Sequence, residues 1–478
     1  MIRFFLIVLF FISLFAHAQN QNISKLDIQS AIYLMLQKSQ SIAISKIELE
    51  DTSLEVIKEK TIYEPTLNAN YTYNDDNSYD DSLHTSTSSL EVSQKYNPGT
   101  TLTLGTKHEL YNYTFDTTSD NQINQVFIKI EQPLLKGYGD EINSIDINTQ
   151  LIDKKTKEAE ITNKYLTEIN EIQNLFFKYV KTIETRQIRE KSHELSQKLL
   201  SKKQLEAKLG GFPKANLLEL EGDVYEKEIA LINAQNKESQ EYLSLSNKLQ
   251  LSDELEKELK IIYNTNVEFE VINYKNLMNV ALQNRFEYLK NENELKKFKL
   301  KNIYFKNNTL PSLDLSLKYG KKTRSVGDNG IIGNEFNHNE VEIGVDFSMP
   351  IYQTKSKSEL MQNSIKIKKT LLEKEQIRLK IKKELKLAIQ DLEVNKKLIQ
   401  RNQLRYNQQI ELMKVEGKKL ENNLIKITDY LTKQQKFINA QLDFKLSFIN
   451  YKISKINLDK VIGKLPSFVT IVIKDSNG

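Results

Sequence analysis

Residues 310–319 read Leu310-Pro-Ser-Leu-Asp-Leu-Ser-Leu-Lys-Tyr319, a proline followed by strict alternation of apolar and polar side chains. Alternation with a period of two predicts a β-strand with one apolar and one polar face. A second such stretch follows Pro65, where the chain reads Leu67-Asn-Ala-Asn-Tyr-Thr-Tyr73. Both stretches come directly after a helical pattern. The two prolines therefore mark the points at which helix gives way to strand.

Further strands are predicted after each of these two. Residues 341–347 alternate as clearly and end before Pro350, and residues 126–131 end before Pro133. In the first β region, residues 90–96 and 101–105 flank Asn97-Pro-Gly99, which predicts an additional strand, turn and strand. The Asp- and Ser-rich stretch 74–89 predicts an exposed loop. The first β region is therefore longer than the second.

Long helices separate and follow the two β regions. The predicted helices are 140–209, 214–262, 274–308, 355–416 and 423–462, and the whole chain has only 15 Gly and 7 Pro. Apolar residues recur every eleven positions, as in Ile161, Ile172 and Ile183. This period of about 3.67 residues per turn is typical of nearly straight helix packing. A coiled-coil rod would share the pattern, but it would not contain two β regions.

The chain contains two internal repeats. A shift of 246 residues places Pro65 on Pro311, so the helix that precedes each β region is duplicated. A shift of 206 residues places Gly211 on Gly417 and residues 232–235 on the identical residues 438–441, so the helix pair that follows is duplicated too. The sequence thus predicts two copies of a unit built as helix, strands and helix pair.

The first residues indicate export. Met1-Ile-Arg3 precedes an apolar run over 4–15, and Ala16-His-Ala18 provides small residues for cleavage, which predicts a signal peptide over 1–18. The apolar run is shorter than the roughly 20 residues that a spanning helix needs. No later stretch has 18 uninterrupted apolar residues. A mature chain that crosses a membrane would therefore do so as strands of a closed barrel.

Composition argues against several function classes. The chain has no cysteine, which excludes disulfides, thiolate metal sites and a lipid-modified cysteine. The four histidines after residue 18 lack metal-ligand spacing, and the glycines match neither a phosphate loop nor a dinucleotide fingerprint. The 68 basic and 63 acidic residues are interspersed, so no nucleic-acid partner is indicated. We therefore predict that the chain has no catalytic, metal or cofactor site and that it is not an enzyme.

Three segments resemble the TolC family of outer-membrane efflux proteins, the outer membrane factors, and the resemblance extends over essentially the whole mature chain. Ala281-Leu-Gln-Asn-Arg285 resembles the opening of a family helix, residues 310–319 its transition into the barrel, and Gln132-Pro-Leu-Leu-Lys-Gly137 its exit. The resemblance implies a mainly α protein with a transmembrane β-barrel portion. Long antiparallel helices would form an α-helical tunnel, and a homotrimer would close a twelve-stranded barrel with four strands from each subunit.

Physics also favours several copies. Two short β regions in one chain cannot close a sheet, and open sheet edges in lipid leave backbone groups unpaired. On the strand after Pro311, the apolar residues Leu313, Leu315, Leu317 and Tyr319 would face lipid, while Asp314, Ser316 and Lys318 would face the lumen. The alternative for this strand is one face of a soluble β-sandwich.

The implied organisation has eight segments. They are a signal peptide (1–18), periplasmic helices of the first repeat (19–65), its β-barrel segment (66–133), its periplasmic tunnel helices (138–264), periplasmic helices of the second repeat (265–310), its β-barrel segment (311–350), its periplasmic tunnel helices (351–464) and a C-terminal tail (465–478).

The resemblance also implies two helix-turn-helix tips. Gly210 or Gly211 with Asn216-Leu-Leu218 matches the first, and Gly417 with Asn423-Leu-Ile425 matches the second. Glycine and proline suit a sharp reversal whatever binds there. The candidate contacts with a periplasmic adaptor are Gly211, Phe212, Pro213, Gly417 and Leu420.

A tunnel constriction is the other site that the resemblance implies. Family members often place a ring of aspartates just beyond the second tip, whereas this chain reads Glu421-Asn-Asn-Leu-Ile-Lys426. Asn423 and Lys426 are therefore the candidates for the constriction, and a solvated helix face is the alternative reading of both.

The function implied is an outer-membrane exit duct of a tripartite efflux or type I secretion system. It would be a passive conduit for drugs, small molecules or proteins, anchored in the outer membrane and extending into the periplasm. The implied partners are two further copies of the chain, a periplasmic adaptor (membrane fusion protein), an inner-membrane pump and outer-membrane lipid. The alternatives are a periplasmic adaptor or structural helical-hairpin protein, and an extracellular coiled-coil fibre.

Overall fold

The computed structural model describes residues 25–76, 83–113, 120–251, 260–264, 267–328, 331–422, 424–466 and 468–469. The chain divides into a helical unit (1–44, 161–286 and 378–478) and a sheet unit (45–160 and 287–377). The predicted signal peptide, Asn423 and most of the predicted C-terminal tail lie outside the described residues. No helix within the described ranges is long and apolar enough to cross a membrane.

The sheet unit contains one antiparallel sheet of six strands. Its order is β2-β3-β4-β5-β7-β8, which follows the chain from one edge to the other. The strands are β2 (Thr66–Asp76), β3 (Leu83–Lys95), β4 (Thr101–Tyr113), β5 (Asp120–Pro133), β7 (Ser312–Asp328) and β8 (Ile331–Ser348).

These strands confirm the six predicted strand segments and correct two other expectations. The family resemblance implied four strands from each chain, but the described sheet has six, because the hairpin formed by β3 and β4 lies inside it. The loop predicted over 74–89 is also shorter than expected, since β3 already begins at Leu83.

Helices account for most of the other described residues of both repeats. The first repeat has α1 (Ile28–Lys38), α2 (Gln40–Lys60), α3 (Asp140–Asn143), α4 (Ile145–Lys208) and α5 (Lys214–Leu249), and the second has α6 (Tyr274–Asn284), α7 (Phe286–Asn307), α8 (Thr354–Glu421) and α9 (Ile427–Val461). A short parallel pairing joins β1 (Lys25–Leu26) to β6 (Lys260–Ile261). The 64 residues of α4 and the 68 of α8 would each span about 100 Å at about 1.5 Å per residue.

Both repeats begin with the same capped pair of helices. Asp27 before α1 and Asn273 before α6 each accept a hydrogen bond from the backbone N–H three residues later, at 2.8 and 3.2 Å. The first helix of each pair then ends at an extended residue, Ser39 in one repeat and Arg285 in the other. A shift of 246 residues relates both the caps and the breaks, so the structure confirms this duplication.

The eleven-residue pattern marks buried positions of the helical unit. Ile161, Ile172 and Ile183 of α4 are all buried, and so are Ile427, Ile438 and Ile449 of α9. One cluster of this core joins Ile188 of α4 to Ile438 and Leu442 of α9, and it includes the partly buried Phe437 and Leu446. Because residues eleven apart return to the same face after about three turns, one stripe of each helix stays buried.

Several predicted helix boundaries are wrong. The helix predicted to continue to Ile262 ends at Leu249, because Gln250 has the left-handed conformation (φ 51°), and residues 260–261 form β6 instead. The single helix predicted over 274–308 is two helices that meet at Arg285. The helix predicted to end at Glu416 continues to Glu421.

Candidate functional site: a two-faced sheet and two helix tips

One face of the sheet is apolar and exposed. A row of directly opposite residues crosses all six strands on this face, and its members are Leu67, Val92, Leu104, Ile128, Tyr319 and Val341. All six side chains are exposed. Leu313, Leu315 and Leu317 lie on the same face as Tyr319, opposite Phe347, Val345 and Ile343. This exposed apolar face needs an apolar environment.

The opposite face is polar and more hidden. Thr103 and Gln125 are only 7% exposed although both belong to strands of a single sheet. The polar side chains on the central strands are therefore more buried than the apolar side chains on the other face. Gln125 donates a hydrogen bond to the Glu340 carboxylate, and Lys322 lies 3.8 Å from the same group. These charged and amide groups suit a water-filled interior.

Phe127 is the exception on the polar face. It is 8% exposed and lies directly opposite Gly105 on one side and Gly320 on the other. A Cβ at Gly105 would lie 2.5 Å from the Cζ atom of the Phe127 ring, so a glycine is needed where the ring lies against β4. The Lys318 ammonium sits 4.6 Å from the centre of the ring, which is a cation–π distance.

A hydrogen-bonded cluster closes the helical end of the sheet. The Pro98 carbonyl, in the turn between β3 and β4, accepts a hydrogen bond from the Gly139 N–H at 3.1 Å. Asn143 donates to the Gly137 and Gly139 carbonyls at 2.8 and 3.0 Å. Gly99 has φ +93°, and a Cβ there would lie 2.6 Å from the Gly137 oxygen. The turn therefore packs tightly against the segment that leaves β5.

The first helix tip is the turn between α4 and α5, residues 209–213. Gly210 has φ +81°, and Gly211 donates its N–H to the Glu206 carbonyl at 3.0 Å, which ends α4. Pro213 begins α5 without a side-chain cap. Phe212 turns inward, where the Lys203 ammonium lies 5.2 Å from its ring centre.

The second tip lies later in the chain than the sequence predicts. The turn between α8 and α9 comes seven residues after the position that a shift of 206 residues gives, and Gly417 lies inside α8. Seven residues are about two helical turns, so α8 keeps its buried face while it extends. The predicted match between Gly211 and Gly417 as turn residues is therefore wrong.

Both tips contribute to one hydrophobic cluster. Leu220, Leu420 and Ile427 are buried in it, and the partly buried side chains around them are Leu199, Leu200, Phe212, Ile425, Tyr430 and Leu431. Leu420 is 6% exposed, so it acts as a core residue within this chain. Burial and the nearby Glu421 carboxylate raise the pKa of Tyr430, which keeps its phenol neutral in this cluster.

An open groove of about 390 Å³ runs between the two tips. It brings together most of the candidate tip residues, and the residues that line it are Gly211, Phe212, Pro213, Asn216, Leu420, Leu424, Ile425, Lys426 and Ile427. Gly417 does not line it. Leu209, Leu218 and Leu424 are exposed around the tips, so the surface is partly apolar. Leu218 and Leu424 belong to the two tip motifs of the sequence analysis, whereas Leu209 was predicted only as the last residue of a helix.

A buried polar network fixes the helices behind the tips. Ser196 donates to the Asp223 carboxylate at 2.6 Å, and the Lys227 ammonium lies 3.3 Å from the same carboxylate. Lys227 also donates to the side chain of Gln435. The network links α4, α5 and α9, so it holds the helices next to the tips in fixed positions relative to one another. Among the described residues, no group of three His, Asp or Glu side chains could hold a metal ion.

Several solved structures are similar to this chain along almost its whole length. The Campylobacter jejuni CmeC outer membrane channel matches with a TM-score of 0.63 at 12% identity, over 94% of this chain and 89% of that one. The outer membrane protein VceC from Vibrio cholerae matches with 0.62 at 11% identity, over 91% and 96%. The open state of the Neisseria gonorrhoeae MtrE outer membrane channel matches with 0.62 at 12% identity, over 91% and 89%. No family model and no curated protein matches the sequence.

These matches cover both repeats and include the strands as well as the long helices. The arrangement of this chain is mainly α, with long helices and one six-stranded antiparallel sheet. This chain therefore has the fold of these outer-membrane channel proteins, which is the fold that its resemblance to the TolC family implies.

Proposed function

We propose that this chain is an outer-membrane exit duct of the TolC type. Three copies would close a barrel in the outer membrane, and their helices would form a tunnel in the periplasm. The duct would belong to a tripartite efflux or type I secretion system and would passively conduct drugs, small molecules or proteins. The observation that carries the proposal is the apolar row that crosses all six strands on the exposed face.

The two faces of the sheet support this role because they suit two solvents. A continuous apolar row on one face fits lipid, and the charged and amide groups of the other face fit a water-filled lumen. A soluble β-sandwich would need a second layer over the apolar face, and the described sheet unit contains one sheet. The same argument disfavours a periplasmic adaptor or a coiled-coil fibre.

The proposal assigns a location to each of the eight segments predicted from the sequence. Residues 1–18 would be removed on export, the β segments 66–133 and 311–350 would lie in the membrane, and the helices would extend into the periplasm. No step of this function requires bond chemistry, so we expect no enzyme activity. Two of the similar solved structures are described as outer membrane channels and a third as an outer membrane protein, which agrees with this assignment.

A periplasmic adaptor, itself coupled to an inner-membrane pump, would dock at the helix tips. Gly211, Phe212 and Pro213 line the groove there, and α5 and α9 both begin without a side-chain cap. Backbone N–H groups at such helix starts can donate hydrogen bonds to a partner. Leu420 would support this surface from beneath, Gly417 would lie beside it, and Lys426 and Asn423 would be the residues to test as a constriction.

Two neighbouring lysine substitutions test the membrane assignment. Val345→Lys places a charge on the apolar face, where a lysine in mid-bilayer costs about 2–4 kcal/mol in each copy. Asp346→Lys places the same charge one residue later on the polar face, opposite Asp314. We expect outer-membrane fractions to contain a heat-sensitive trimer for the parent chain and for Asp346→Lys, and far less of it for Val345→Lys.

The measurement is the amount of protein in outer-membrane fractions that migrates at trimer mass without boiling. Equal loss with both substitutions would point to a general fault in folding. A parent chain that is soluble and monomeric would rule out the duct and leave the helical-hairpin protein as the explanation.

A further inference from the structure

Among the described residues, the two outer strands of the sheet, β2 and β8, pair with a neighbouring strand on one side only. Every residue of β2 is exposed, and Val341, Ile343, Val345 and Phe347 of β8 are exposed as well. An edge strand presents a row of free N–H and C=O groups, and each one left unpaired in lipid costs several kcal/mol. In the proposed outer-membrane duct, both edges must therefore pair with something.

A second copy of the chain fits both edges. The sheet has an even number of antiparallel strands, so β2 and β8 run in opposite directions. The β8 edge of one copy therefore meets the β2 edge of an identical copy as an antiparallel pair. Repeating this head-to-tail contact around an axis closes a ring.

The hairpin of β3 and β4 is part of the wall of this ring. β3 pairs with β2 over residues 83–93, and β4 pairs with β5 over residues 101–111, so neither strand can leave without opening a ladder. The turn between them is also held at the helical end of the sheet, through the Pro98 carbonyl and the close approach of Gly99 to Gly137. All six strands therefore belong to one continuous surface.

The pairing register shows how the strands are tilted. The row of opposite residues that starts at Thr66, the first residue of β2, reaches β8 at Glu342, six residues before its end at Ser348. The apolar stretches of β2 and β8 are offset by the same six residues. The row of opposite residues that starts at Leu67 reaches β8 at Val341, six residues before Phe347. Leu67 begins the apolar stretch of β2 on the membrane side nearest the helices, whereas Val341 is the far end of the stretch 341–347.

An apolar band must lie parallel to the membrane plane, so this offset measures the tilt of the strands. Each copy adds six strand spacings to a ring, five within the sheet and one at the contact with the next copy, so six residues correspond to one residue per spacing. One residue of about 3.3 Å against a strand spacing of about 4.8 Å gives a tilt of about 35°. This value lies within the usual range for barrels, and an eight-stranded barrel with a shear of eight has the same ratio.

We propose that three copies close a barrel of eighteen strands, and that Leu67 of one copy lies opposite Phe347 of the next. This register aligns the apolar band across the seam, and its other pairs on that face are Ala69 with Val345, Tyr71 with Ile343, and Tyr73 with Val341. A slip of one residue would turn one strand's apolar side chains toward the lumen. A slip of two would leave an apolar residue without an apolar partner at each end.

The strand number sets the width of the pore. With the same spacing and tilt, eighteen strands give a barrel about 34 Å across between backbones, whereas twelve give about 22 Å. Barrels of 16–18 strands leave an open aqueous channel. The inference thus assigns this chain a wider outer-membrane pore than the twelve-stranded barrel that its family resemblance implies.

Electron cryo-microscopy of the trimer in lipid nanodiscs tests the strand number directly. We expect eighteen strands in cross-section, six from each copy. A trimer extracted from the outer membrane with twelve strands would overturn this inference and leave the proposed duct intact. A chain that forms no membrane trimer would overturn both.

Paired cysteines test the seam, and the cysteine-free chain provides a clean background. In Tyr71→Cys/Ile343→Cys the two thiols face each other across the seam, about 4.5–5.5 Å apart at Cβ. A short thiol cross-linker should convert most of the trimer into covalent dimers and trimers. Tyr71→Cys/Glu342→Cys, with the second thiol on the opposite face, should cross-link at least tenfold less. Equal yields, or a higher yield for Tyr71→Cys/Val345→Cys, would overturn the register.

Discussion

Single residues decide where the helix tips turn. Gly210 has φ +81° at the first tip, a conformation that a side chain disfavours, and open space surrounds it. Gly417 has ordinary helical geometry within α8 and no neighbouring atom within 4 Å of a Cβ. Glycine is therefore required at position 210 by the backbone conformation, whereas position 417 would accept another residue.

We expect opposite effects from two alanine substitutions at these glycines. Gly210→Ala should lower stability by about 1 kcal/mol, because alanine resists the left-handed conformation. Gly417→Ala should raise it by about 0.5–1 kcal/mol, because alanine favours a helix interior. The measurement is hydrogen exchange of amides in the last turns of α4 and α8. Faster exchange with Gly417→Ala would contradict the helical position of Gly417 and would indicate that it lies in the turn, as the sequence repeat predicts.

At the scale of elements, the two repeats start with helices that differ in one ionisable cap. The hydrogen bonds from Ser30 hold the pKa of Asp27 below its usual value, whereas Asn273 fills the equivalent position with a neutral amide. A carboxyl whose folded-state pKa is lowered stabilises the fold above its unfolded pKa. That contribution disappears as the pH falls through the folded-state value.

The caps therefore predict a difference in pH dependence between α1 and α6. Asp27→Ala should cost about 1 kcal/mol of protection in α1 at neutral pH and much less in strong acid, where the parent carboxyl is protonated. Asn273→Ala should cost a similar amount in α6 at both pH values. Hydrogen exchange of the two helices is the measurement, and an equal pH response of both variants would contradict the assignment.

The elements that sequence predicts well are those with strong periodicity. Alternation located β2, β7 and β8, and the shift of 246 residues matches the caps at Asp27 and Asn273 that the structure reveals. The break at Arg285 gave no signal, since the backbone simply becomes extended there between two regular helices. The start of β3 was missed because Ser and Thr residues over 85–89 have the composition of a loop, and only their pairing with β2 makes them a strand.

The helix tips were also predicted only in part from the sequence. Glycine and proline indicated a reversal near Gly211 and Pro213, which the structure places in one groove. The reversal between α8 and α9 lies about two helical turns later in the chain than the repeat predicts. Both positions are compatible with the packing, because α8 and α9 bury the same faces in either case. Sequence similarity between the repeats could not distinguish the two positions, and packing of Leu420 with Leu220 and Ile427 decides between them.

At the scale of the whole molecule, the hairpin of β3 and β4 separates this chain from the four-stranded contribution that its family resemblance implies. Removing residues 83–113 takes away an upward and a downward strand together, so the remaining strands keep their directions. The links 77–82 and 114–119 then join β2 to β5. We expect this shortened chain to assemble as a trimer with twelve strands and a narrower barrel.

Cross-sections from electron cryo-microscopy of the shortened trimer give the strand number, and the parent trimer is the control. Twelve strands in the shortened form and eighteen in the parent would establish that the hairpin sets the pore width. Loss of the trimer on deletion, with eighteen strands in the parent, would instead make the hairpin an essential part of the wall. The same number of strands in both would contradict its place in the barrel.

All of the helical connections leave the sheet at one end, where β2 and β7 begin and β5 and β8 finish. At the other end, the strands are joined only through residues 77–82, 114–119 and 329–330. In the proposed orientation, the strand ends beside these three links are the described parts of each subunit that lie nearest the cell surface. Antibodies, bacteriophages and host proteases would meet little of this large protein, because almost everything else is hidden behind the outer membrane.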